Sequence, residues 1–532
     1  MKPPLPLLRN VWNAVTTFLD RLLSDPGPGT PEDGKRDDRR FRLFLLLWFL
    51  FWSILPMLCI GNLYIDISEN IQWGRHFQFG YDKNPYVGPW LTYAFYRISG
   101  GWTGIHYLLS QIFIASGAFS AAALARELFG ADAKASRIAI LLMLMTPFCT
   151  IWAGEFNDDI MDFGFWSLLI LFAARAMKRQ TAADWLLAGL FAGLAVMTKY
   201  LAALLFLSLL VPMLFTEEGR RSWKDPAFYA ACGLVFLMVL PNLLWLAGNR
   251  FIAFTYALER ANMEEEAFAR IIQPARMLLN IVWVLFPPVM LYLLCFARRR
   301  AAREETGGAF AKIYLASAAG GPVLLLFLFS IAAGAEIGLP WMTPCFVFPG
   351  LLLIQYFPPA DGIRRRNVFL IALLLVSGGA AAYHLNSHLY RHGYVRRNSG
   401  YESFPGKISA EDLTRVWRQR FGTPLPFVIG DRTEACNIAL YSPDKPEPFF
   451  SANTLYSQWI DPEEVRRKGA LVVWTENTPS LPEDLEGKLT PAEDRAYPRA
   501  VVPWFRALAG EPKKQIIHFA FLPPSPDIPK GP

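Results

Sequence analysis

Long apolar segments separated by short polar loops fill the chain between residues 43 and 383. About eleven of them are long enough, or nearly so, to cross the hydrocarbon core of a bilayer, which takes roughly 20 helical residues. The segments are 43–60, 106–125, 138–153, 160–176, 185–198, 200–215, 227–246, 277–297, 313–333, 339–357 and 368–383. The pattern therefore predicts an α-helical protein that spans a membrane many times.

After Tyr383 the pattern changes. A polar linker leads to a helix-like stretch at 409–421, and strand-like stretches follow at 426–431, 470–476 and 516–522. This mixture predicts a small α/β domain outside the membrane. We therefore expect three parts, which are a leader (1–42), a transmembrane domain (43–384) and an α/β domain (385–532).

Composition and charge agree with a membrane protein. Apolar residues make up 53% of the 532 residues and charged residues only 18%, and the mean hydropathy is +0.25. The net charge of +7 comes from Lys and Arg in alternate short loops, which is typical of membrane topology and does not indicate nucleic acid as a partner. This charge pattern predicts a cytoplasmic N-terminus, with an amphipathic helix at 7–23. It also predicts that loop 62–97 and everything after Tyr383 lie outside.

The first predicted outer loop, 62–97, combines acids, bases and aromatic rings, which suits a site for a charged substrate that contains a ring. Its candidate residues are Asp66, Glu69, Lys83, Tyr64, Trp73 and Tyr81. We expect Lys83 to reach solvent. The alternative is that these polar side chains simply solvate a loop.

Further candidates lie in later loops. Asp158 and Asp159 precede a predicted span, where acids tend to line a water-filled cavity or meet a cation, although they also suit a helix N-terminus. Lys199 is a candidate binding residue or a lysine that reaches the membrane surface from a helix end. Arg270, in loop 248–276, could hold a phosphate with two hydrogen bonds or belong to a solvated helix.

Histidine and cysteine positions raise the question of a metal or a disulfide. His384, His388 and His392 recur at steps of four, so they could share a helix face and bind a metal, or be bystanders of the linker. Cys436 is the only cysteine after the last predicted span, so no disulfide framework is expected there. The sequence has no GxxxxGK, GxSxG or HExxH motif, which leaves ATP-driven and serine-hydrolase functions without support.

Several motifs together resemble the polyprenyl-phosphate-dependent glycosyltransferases of the GT-C type. That group includes glycosyltransferase family 39, with the protein O-mannosyltransferases, and the lipid A aminoarabinose transferase. The resemblance rests on Asp66 after the first span, the short helix with Trp73, the turn at 83–85, the run 156–159 and Thr198-Lys199. Many members carry an Asp-Glu pair, whereas Ile67 follows Asp66 here. The segment 430–446 also resembles one found after the last span in bacterial members, and we assign it no catalytic role.

This resemblance implies a GT-C fold and an inverting transfer of a sugar from an undecaprenyl-type phosphate at the outer face of the bacterial inner membrane. The acceptor would be lipid A, another glycan or a protein, and membrane lipids would surround the enzyme. Asp66 would be the general base, and Asp158 or Asp159 a second catalytic acid. Lys83, with Lys199 or an outer-loop arginine such as Arg270, would neutralise the leaving phosphate.

The remaining loop residues would bind substrate. Glu69 would orient the acceptor or a metal, while Tyr64, Trp73 and Tyr81 would stack on the sugar or flank the lipid path. We assign no cofactor and leave open whether a divalent metal ion assists. The alternative function is a transporter or flippase of lipid-linked sugars, which should show charges at the bilayer midplane and repeat symmetry.

Overall fold

The computed structural model describes residues 31–130, 133–261, 268–296, 308–359, 366–397, 400–476, 485 and 487–525. The helix predicted at 7–23 and the basic run at 298–303 lie outside the described residues. The chain divides into two compact units. The first comprises Met1–Ile54, Tyr107–Leu243 and Ala257–Ala382, and the second comprises Leu55–His106, Leu244–Tyr256 and Tyr383–Pro532.

Helices account for most of the described chain before residue 386. The α-helices there are Pro31–Cys59, Ile65–Gly74, Val87–Ile98, Ile105–Phe129, Ala133–Leu144, Asp158–Arg179, Ala182–Val196, Ala203–Phe215, Glu217–Ser222, Pro226–Gly248, Ile252–Arg260, Ala269–Cys295, Ala309–Ala333, Pro349–Tyr356 and Arg366–Leu385. Short 3₁₀ helices lie at Pro147–Cys149, Tyr200–Ala202 and Leu339–Phe346.

Among the described residues, 6 helices are long and apolar enough to cross a membrane, or 7 if one bent pair counts as a single span. They are Arg36–Cys59, Ile105–Phe129, Asp158–Arg179, Pro226–Gly248, Ala269–Cys295 and Ala309–Ala333, and the bent pair is Leu339–Phe346 with Pro349–Tyr356. The predicted count of about eleven spans is not confirmed.

Interruptions of the helices explain why two of the predicted segments do not form a single straight span. The segment predicted at 138–153 forms a helix only over Ala133–Leu144, because Pro147 then starts a 3₁₀ turn. The segment predicted at 339–357 is bent by 49° between its two short helices. Hydropathy alone does not register such breaks, because the residues on both sides remain apolar.

The core of the first unit is aromatic and aliphatic. Phe148 and Phe346 stack with their ring centroids 5.0 Å apart, and Met277 and Leu326 belong to the same buried cluster. Side chains of the long apolar helices and of the short 3₁₀ helices therefore pack together within the unit.

The second unit contains a five-stranded sheet, whose strands are β1 (Phe427–Gly430), β2 (Glu447–Phe450), β3 (Ala470–Trp474), β4 (Glu493–Pro498) and β5 (Lys514–Leu522). Their order across the sheet is β2-β1-β3-β5-β4. β1 pairs in parallel with both β2 and β3, while β5 is antiparallel to β3 and β4. The helices Gly406–Phe421, Arg432–Tyr441, Pro462–Lys468 and Pro503–Ala509 accompany the sheet.

The order of the strands creates a switch point at the carboxyl end of β1. The chain leaves β1 through the helix Arg432–Tyr441 to reach β2 on one side, and later reaches β3 on the other side. Connections that diverge in this way leave a crevice beyond the carboxyl end of the central strand, where α/β proteins place polar functional groups. Arg432 is the first residue of the helix that begins there.

Candidate active site

A short helix, Ile65–Gly74, carries the first candidates, and we call it the loop helix. Its residues from Ile67 to Gly74 are all buried, among them Ile71 and Trp73. Asp66 lies in its first turn, where a carboxylate is favoured by the helix dipole, and Glu69 follows three residues later on the same side. A Cβ at Gly74 would lie 2.4 Å from the Pro89 carbonyl oxygen, so only glycine permits the close packing on the next helix.

A tight turn follows the loop helix and returns charged residues towards it. Gly80 and Pro85 form an isolated antiparallel bridge, and the Tyr81 amide donates a 2.9 Å hydrogen bond to the Asn84 carbonyl. This turn places Asp82 and Lys83 near Glu69. The predicted Lys-Asn-Pro turn is therefore present.

Five side chains form what we call the charged cluster: Asp66, Glu69, Asp82, Lys83 and Arg432. Lys83 is ion-paired with Glu69, and its Nζ lies 3.6 Å from Asp66 Oδ1. Arg432 bridges Glu69 and the third acid by donating hydrogen bonds to Glu69 Oε1 and Asp82 Oδ2. Three acids thus face two bases.

Exposure separates the members of the charged cluster. The side chains of Glu69 and Asp82 are 0% exposed and that of Lys83 is 15% exposed, whereas that of Asp66 is 44% exposed. Lys83 reaches solvent with only a small part of its side chain, because its charge is used to pair with a buried acid. Asp66 is the carboxylate that an incoming molecule can reach.

The pKa values of the charged cluster follow from burial and from its ion pairs. Burial raises the pKa of Asp82, although the Arg432 guanidinium opposes the effect. Burial alone would lower the pKa of Lys83, but the negative charges of Glu69 and Asp66 outweigh it and raise this pKa above its ordinary value. The same balance with Glu69 and Asp82 raises the pKa of Arg432. Both cations therefore stay charged.

Two of the aromatic candidates, Trp73 and Tyr81, pack beside the cations of the charged cluster. Trp73 and Tyr81 are fully buried and stack on each other with centroids 5.3 Å apart. Lys83 Nζ lies 5.4 Å from the Trp73 ring centroid, and the Arg432 guanidinium carbon lies 5.7 Å from it. Such cation–π contacts hold a cation in place. Tyr64 instead contacts His388, with 3.3 Å between its hydroxyl and Nε2.

Arg432 is a site residue that the sequence analysis missed. It lies inside the 430–446 segment whose resemblance was noted but to which no role was assigned. Its guanidinium also lies 5.3 Å from the Phe450 ring centroid and 5.6 Å from that of Tyr456. The available signal was an arginine directly after a strand that ends in Gly-Asp, at a switch point.

A second group of charges lies in the first unit. The side chains of Asp158, Asp159 and Asp162 are buried at the start of the helix Asp158–Arg179. Lys199 Nζ donates a 2.6 Å hydrogen bond to Asp159 Oδ1. Asn157 caps this helix by accepting a 3.0 Å hydrogen bond from the Ile160 amide. The predicted meeting of an acid with a cation therefore occurs at Asp159.

The structure also locates Arg270 and the predicted metal-binding histidines. Arg270 is exposed near the start of the helix Ala269–Cys295. Among the described residues, the one group of three potential metal ligands is His388, His392 and Glu402, with ligand atoms within 4.8 Å of one another. His388 and His392 thus share this group with an acid that the sequence spacing did not indicate.

Comparisons with known proteins bear on both fold and activity. The family of dolichyl-phosphate-mannose-protein mannosyltransferases matches residues 83–245. The lipopolysaccharide core galacturonosyltransferase RgtA of Rhizobium johnstonii is 24% identical over 413 residues, which is 73% of this chain and 82% of the relative. RgtB of the same organism, with the same activity in its name, is 23% identical over 463 residues, covering 83% and 88%.

Among solved structures, ArnT from Cupriavidus metallidurans bound to undecaprenyl phosphate matches with a TM-score of 0.57 at 14% identity, covering 92% of this chain and 98% of ArnT. The fold and the apolar helices define a multi-pass membrane protein with the GT-C fold. The matched family and the named relatives are glycosyltransferases, and the chain is a glycosyltransferase with this fold. The relatives are transferases, so the comparisons favour the enzyme over the transporter.

Proposed function

We propose that the protein transfers a sugar from an undecaprenyl-type phosphate to an acceptor at the outer face of the bacterial inner membrane. The bound lipid of the ArnT structure supports this class of donor. The names of the relatives support lipopolysaccharide as the first acceptor to test and a uronic acid as the first sugar. In this proposal residues 1–42 are cytoplasmic, residues 43–384 form the catalytic transmembrane domain and residues 385–532 are periplasmic.

The observation that carries the proposal is the exposure of Asp66 beside two cations that buried acids hold in place. Asp66 is 44% exposed, and its oxygen lies 3.6 Å from Lys83 Nζ. As general base it would take the proton of the acceptor hydroxyl, whose oxygen would attack the anomeric carbon. The bond from that carbon to the phosphate oxygen would break on the opposite face, which inverts the configuration.

The leaving phosphate needs positive charge rather than a proton. Lys83 and Arg432 stay charged, and a lysine ammonium has three donors, of which one remains after its contacts with Glu69 and Asp66. Charges that are fixed before the reaction stabilise a developing anion without reorganising. We therefore assign phosphate binding to Lys83 and Arg432.

The other residues have supporting roles in this proposal. Glu69 and Asp82 act as positioning residues, because they hold Lys83 and Arg432 in place. Lys199, which is paired with Asp159, remains a proposed contact of the donor. Asp159 is preferred over Asp158 as the second catalytic acid because it makes that pair. Arg270 remains a proposed donor contact on the strength of its exposure and charge.

The deciding experiment compares lipopolysaccharide from cells with and without the gene by mass spectrometry. We expect the loss of one sugar residue. Purified enzyme should then restore that residue when given a polyprenyl-phosphate sugar and the deficient lipopolysaccharide, assayed with and without EDTA. Unchanged lipopolysaccharide and no transfer with any lipid-linked sugar would reject the proposal.

A further inference from the structure

The segment that follows the last predicted span forms a π-helix, Asn386–Val395, with its histidines gathered together. The ring centroids of His388 and His392 are 5.3 Å apart. The 3₁₀ turn Tyr401–Ser403 brings Glu402 to them, and its Oε2 lies 3.3 Å from His392 Nδ1. Two imidazoles and one carboxylate therefore converge.

This convergence is buried. His388 is 8% exposed and His392 is 4% exposed, and the side chain of Glu402 is 13% exposed. Within the part of the chain that the structure describes, His388 Nδ1 has no hydrogen-bond partner. Burying a polar atom without a partner costs free energy, so we expect this nitrogen to bind a ligand.

The other ring nitrogens are held by hydroxyl groups. Tyr64 Oη lies 3.3 Å from His388 Nε2, and Ser387 Oγ lies 3.2 Å from His392 Nε2. When each Nε2 donates to its hydroxyl, each Nδ1 keeps a free lone pair. Histidines that bind a metal show this arrangement, in which the second nitrogen is fixed by a hydrogen bond.

A glycine leaves space beside the ligand atoms. A Cβ at Gly400 would lie 2.6 Å from Glu402 Oε2 and 3.4 Å from His392 Nδ1. A side chain at this position would therefore displace the Glu402 carboxylate, one of the three ligand groups.

We propose that His388, His392 and Glu402 bind one divalent transition-metal ion, with Zn²⁺ as the best match. Two imidazoles and one carboxylate are a ligand set that Zn²⁺ accepts, with a fourth position for water or another group. Mg²⁺ and Ca²⁺ prefer oxygen ligands, so the two nitrogens disfavour them.

The role of this ion is structural. The Asn62 amide donates a 2.9 Å hydrogen bond to the Glu402 carbonyl, and Asn62 Nδ2 donates one of 2.9 Å to the Tyr401 carbonyl. Tyr64, which contacts His388, directly precedes the loop helix. The ion thus connects the segment after the last span to the start of the helix that carries Asp66. This inference does not depend on the identity of the sugar or the acceptor.

The test uses full-length protein without a histidine tag, stripped with a chelator and then titrated with Zn²⁺ against a coloured competitor. We expect about one tightly bound ion per chain. Glu402→Gln, His388→Asn and His392→Asn should each weaken binding at least about 10-fold, since even outer partners of metal ligands have effects of that size. His518→Gln is the matched control, because His518 lies on β5 and pairs with Asp494.

Equal binding in the wild type and in the double variant His388→Asn/His392→Asn would mean an adventitious ion only and would overturn the proposal. If the variants fail to fold, X-ray absorption of the zinc-loaded wild type decides the matter. Two imidazole nitrogens and a carboxylate oxygen at about 2.0–2.2 Å support the site. A spectrum without imidazole overturns it.

Discussion

The Arg432 guanidinium donates a hydrogen bond to Glu69, a carboxylate 363 positions earlier in the chain. Glu69 is fully buried and also pairs with Lys83, so one acid holds both cations that we assign to the leaving phosphate. A buried acid that is already paired cannot readily serve as a base. This leaves that role to Asp66, which is only loosely paired.

Removing the Arg432 charge should destabilise the fold. Arg432→Ala leaves Glu69 and Asp82 buried without their shared partner, and breaking a buried ion pair typically costs about 3–5 kcal/mol. Unfolding in detergent measures this loss. Arg432→Lys should recover only part of it, since one ammonium cannot reproduce the two-sided contact of a guanidinium.

Arg467→Ala is the control for Arg432. Its side chain is 49% exposed and lies 3.8 Å from Glu464, so its removal should change the free energy of unfolding by less than about 0.5 kcal/mol. Equal effects of Arg432→Ala and Arg467→Ala would contradict the importance of the charged cluster.

Lys83→Met should raise the KM for the lipid donor and also lower stability, because it removes both the phosphate contact and the partner of Glu69. Lys83→Arg should preserve most stability and part of the donor affinity. Donor titrations on the folded fraction separate the two effects. Lys468→Met, at a pair whose lysine is 46% exposed, should change neither. Unaltered donor kinetics in Lys83→Met would exclude Lys83 from phosphate binding.

Stability should depend on pH through Glu434. Burial raises the pKa of Glu434 from 4.5 to about 7, while a 2.9 Å hydrogen bond from Thr475 opposes this. Between these values the folded state holds a proton that the unfolded state has lost. The contribution of Glu434 is therefore complete below pH 4.5 and is lost as pH rises through about 7.

Glu434→Gln should flatten this dependence. Each pKa unit corresponds to about 1.4 kcal/mol. The free energy of unfolding of the wild type should therefore fall by a few kcal/mol between pH 4.5 and about 7, whereas that of the variant should not. Unfolding measured from pH 4.5 to pH 8 checks the difference. Parallel pH profiles would show that Glu434 is not buried with a raised pKa in the folded protein.

The sequence predicted the central strands but missed the edges of the sheet. β1 and β3 are runs of buried apolar residues, which a pattern of hydrophobic positions detects. β2 contains Pro448, and β4 begins with three charged residues, from Glu493 to Arg495. Both are edge strands, where proline and charge are tolerated because one side is unpaired.

The candidate site could also be predicted from the sequence only in part. Asp66, Glu69 and Lys83 lie in one loop, so local composition was enough to select them. Arg432 reaches them only because β1 ends beside β2 and β3, a relationship that depends on topology and not on nearby sequence. The burial of Trp73 and Tyr81 was equally out of reach, since an aromatic ring in a loop suits packing as well as binding.

Membrane topology gives a separate prediction. A reporter that is active only outside the cytoplasm should work when fused after Tyr383 and fail when fused after Arg300, because Lys and Arg are retained on the cytoplasmic side. Enzyme activity of both fusions in cells measures the outcome. Activity after Arg300 alone would place the charged cluster on the wrong side for our proposed donor.

Asp66→Asn should abolish most transfer while leaving the fold and donor binding intact. The substitution keeps the shape of the side chain but removes its capacity to accept a proton, and general bases typically contribute about 100- to 10,000-fold. The fold should tolerate it because Asp66 is 44% exposed and lies 3.6 Å from Lys83. Turnover across pH and separate donor-binding measurements distinguish chemistry from affinity.

Asp494→Asn is the matched control for Asp66, since its side chain is 66% exposed and its partner is His518. It should transfer sugar at the wild-type rate. Near-normal turnover of Asp66→Asn would reject Asp66 as the base. A loss of donor binding with unchanged turnover at saturation would instead make Asp66 a binding residue, because a base acts on the rate of the bound complex.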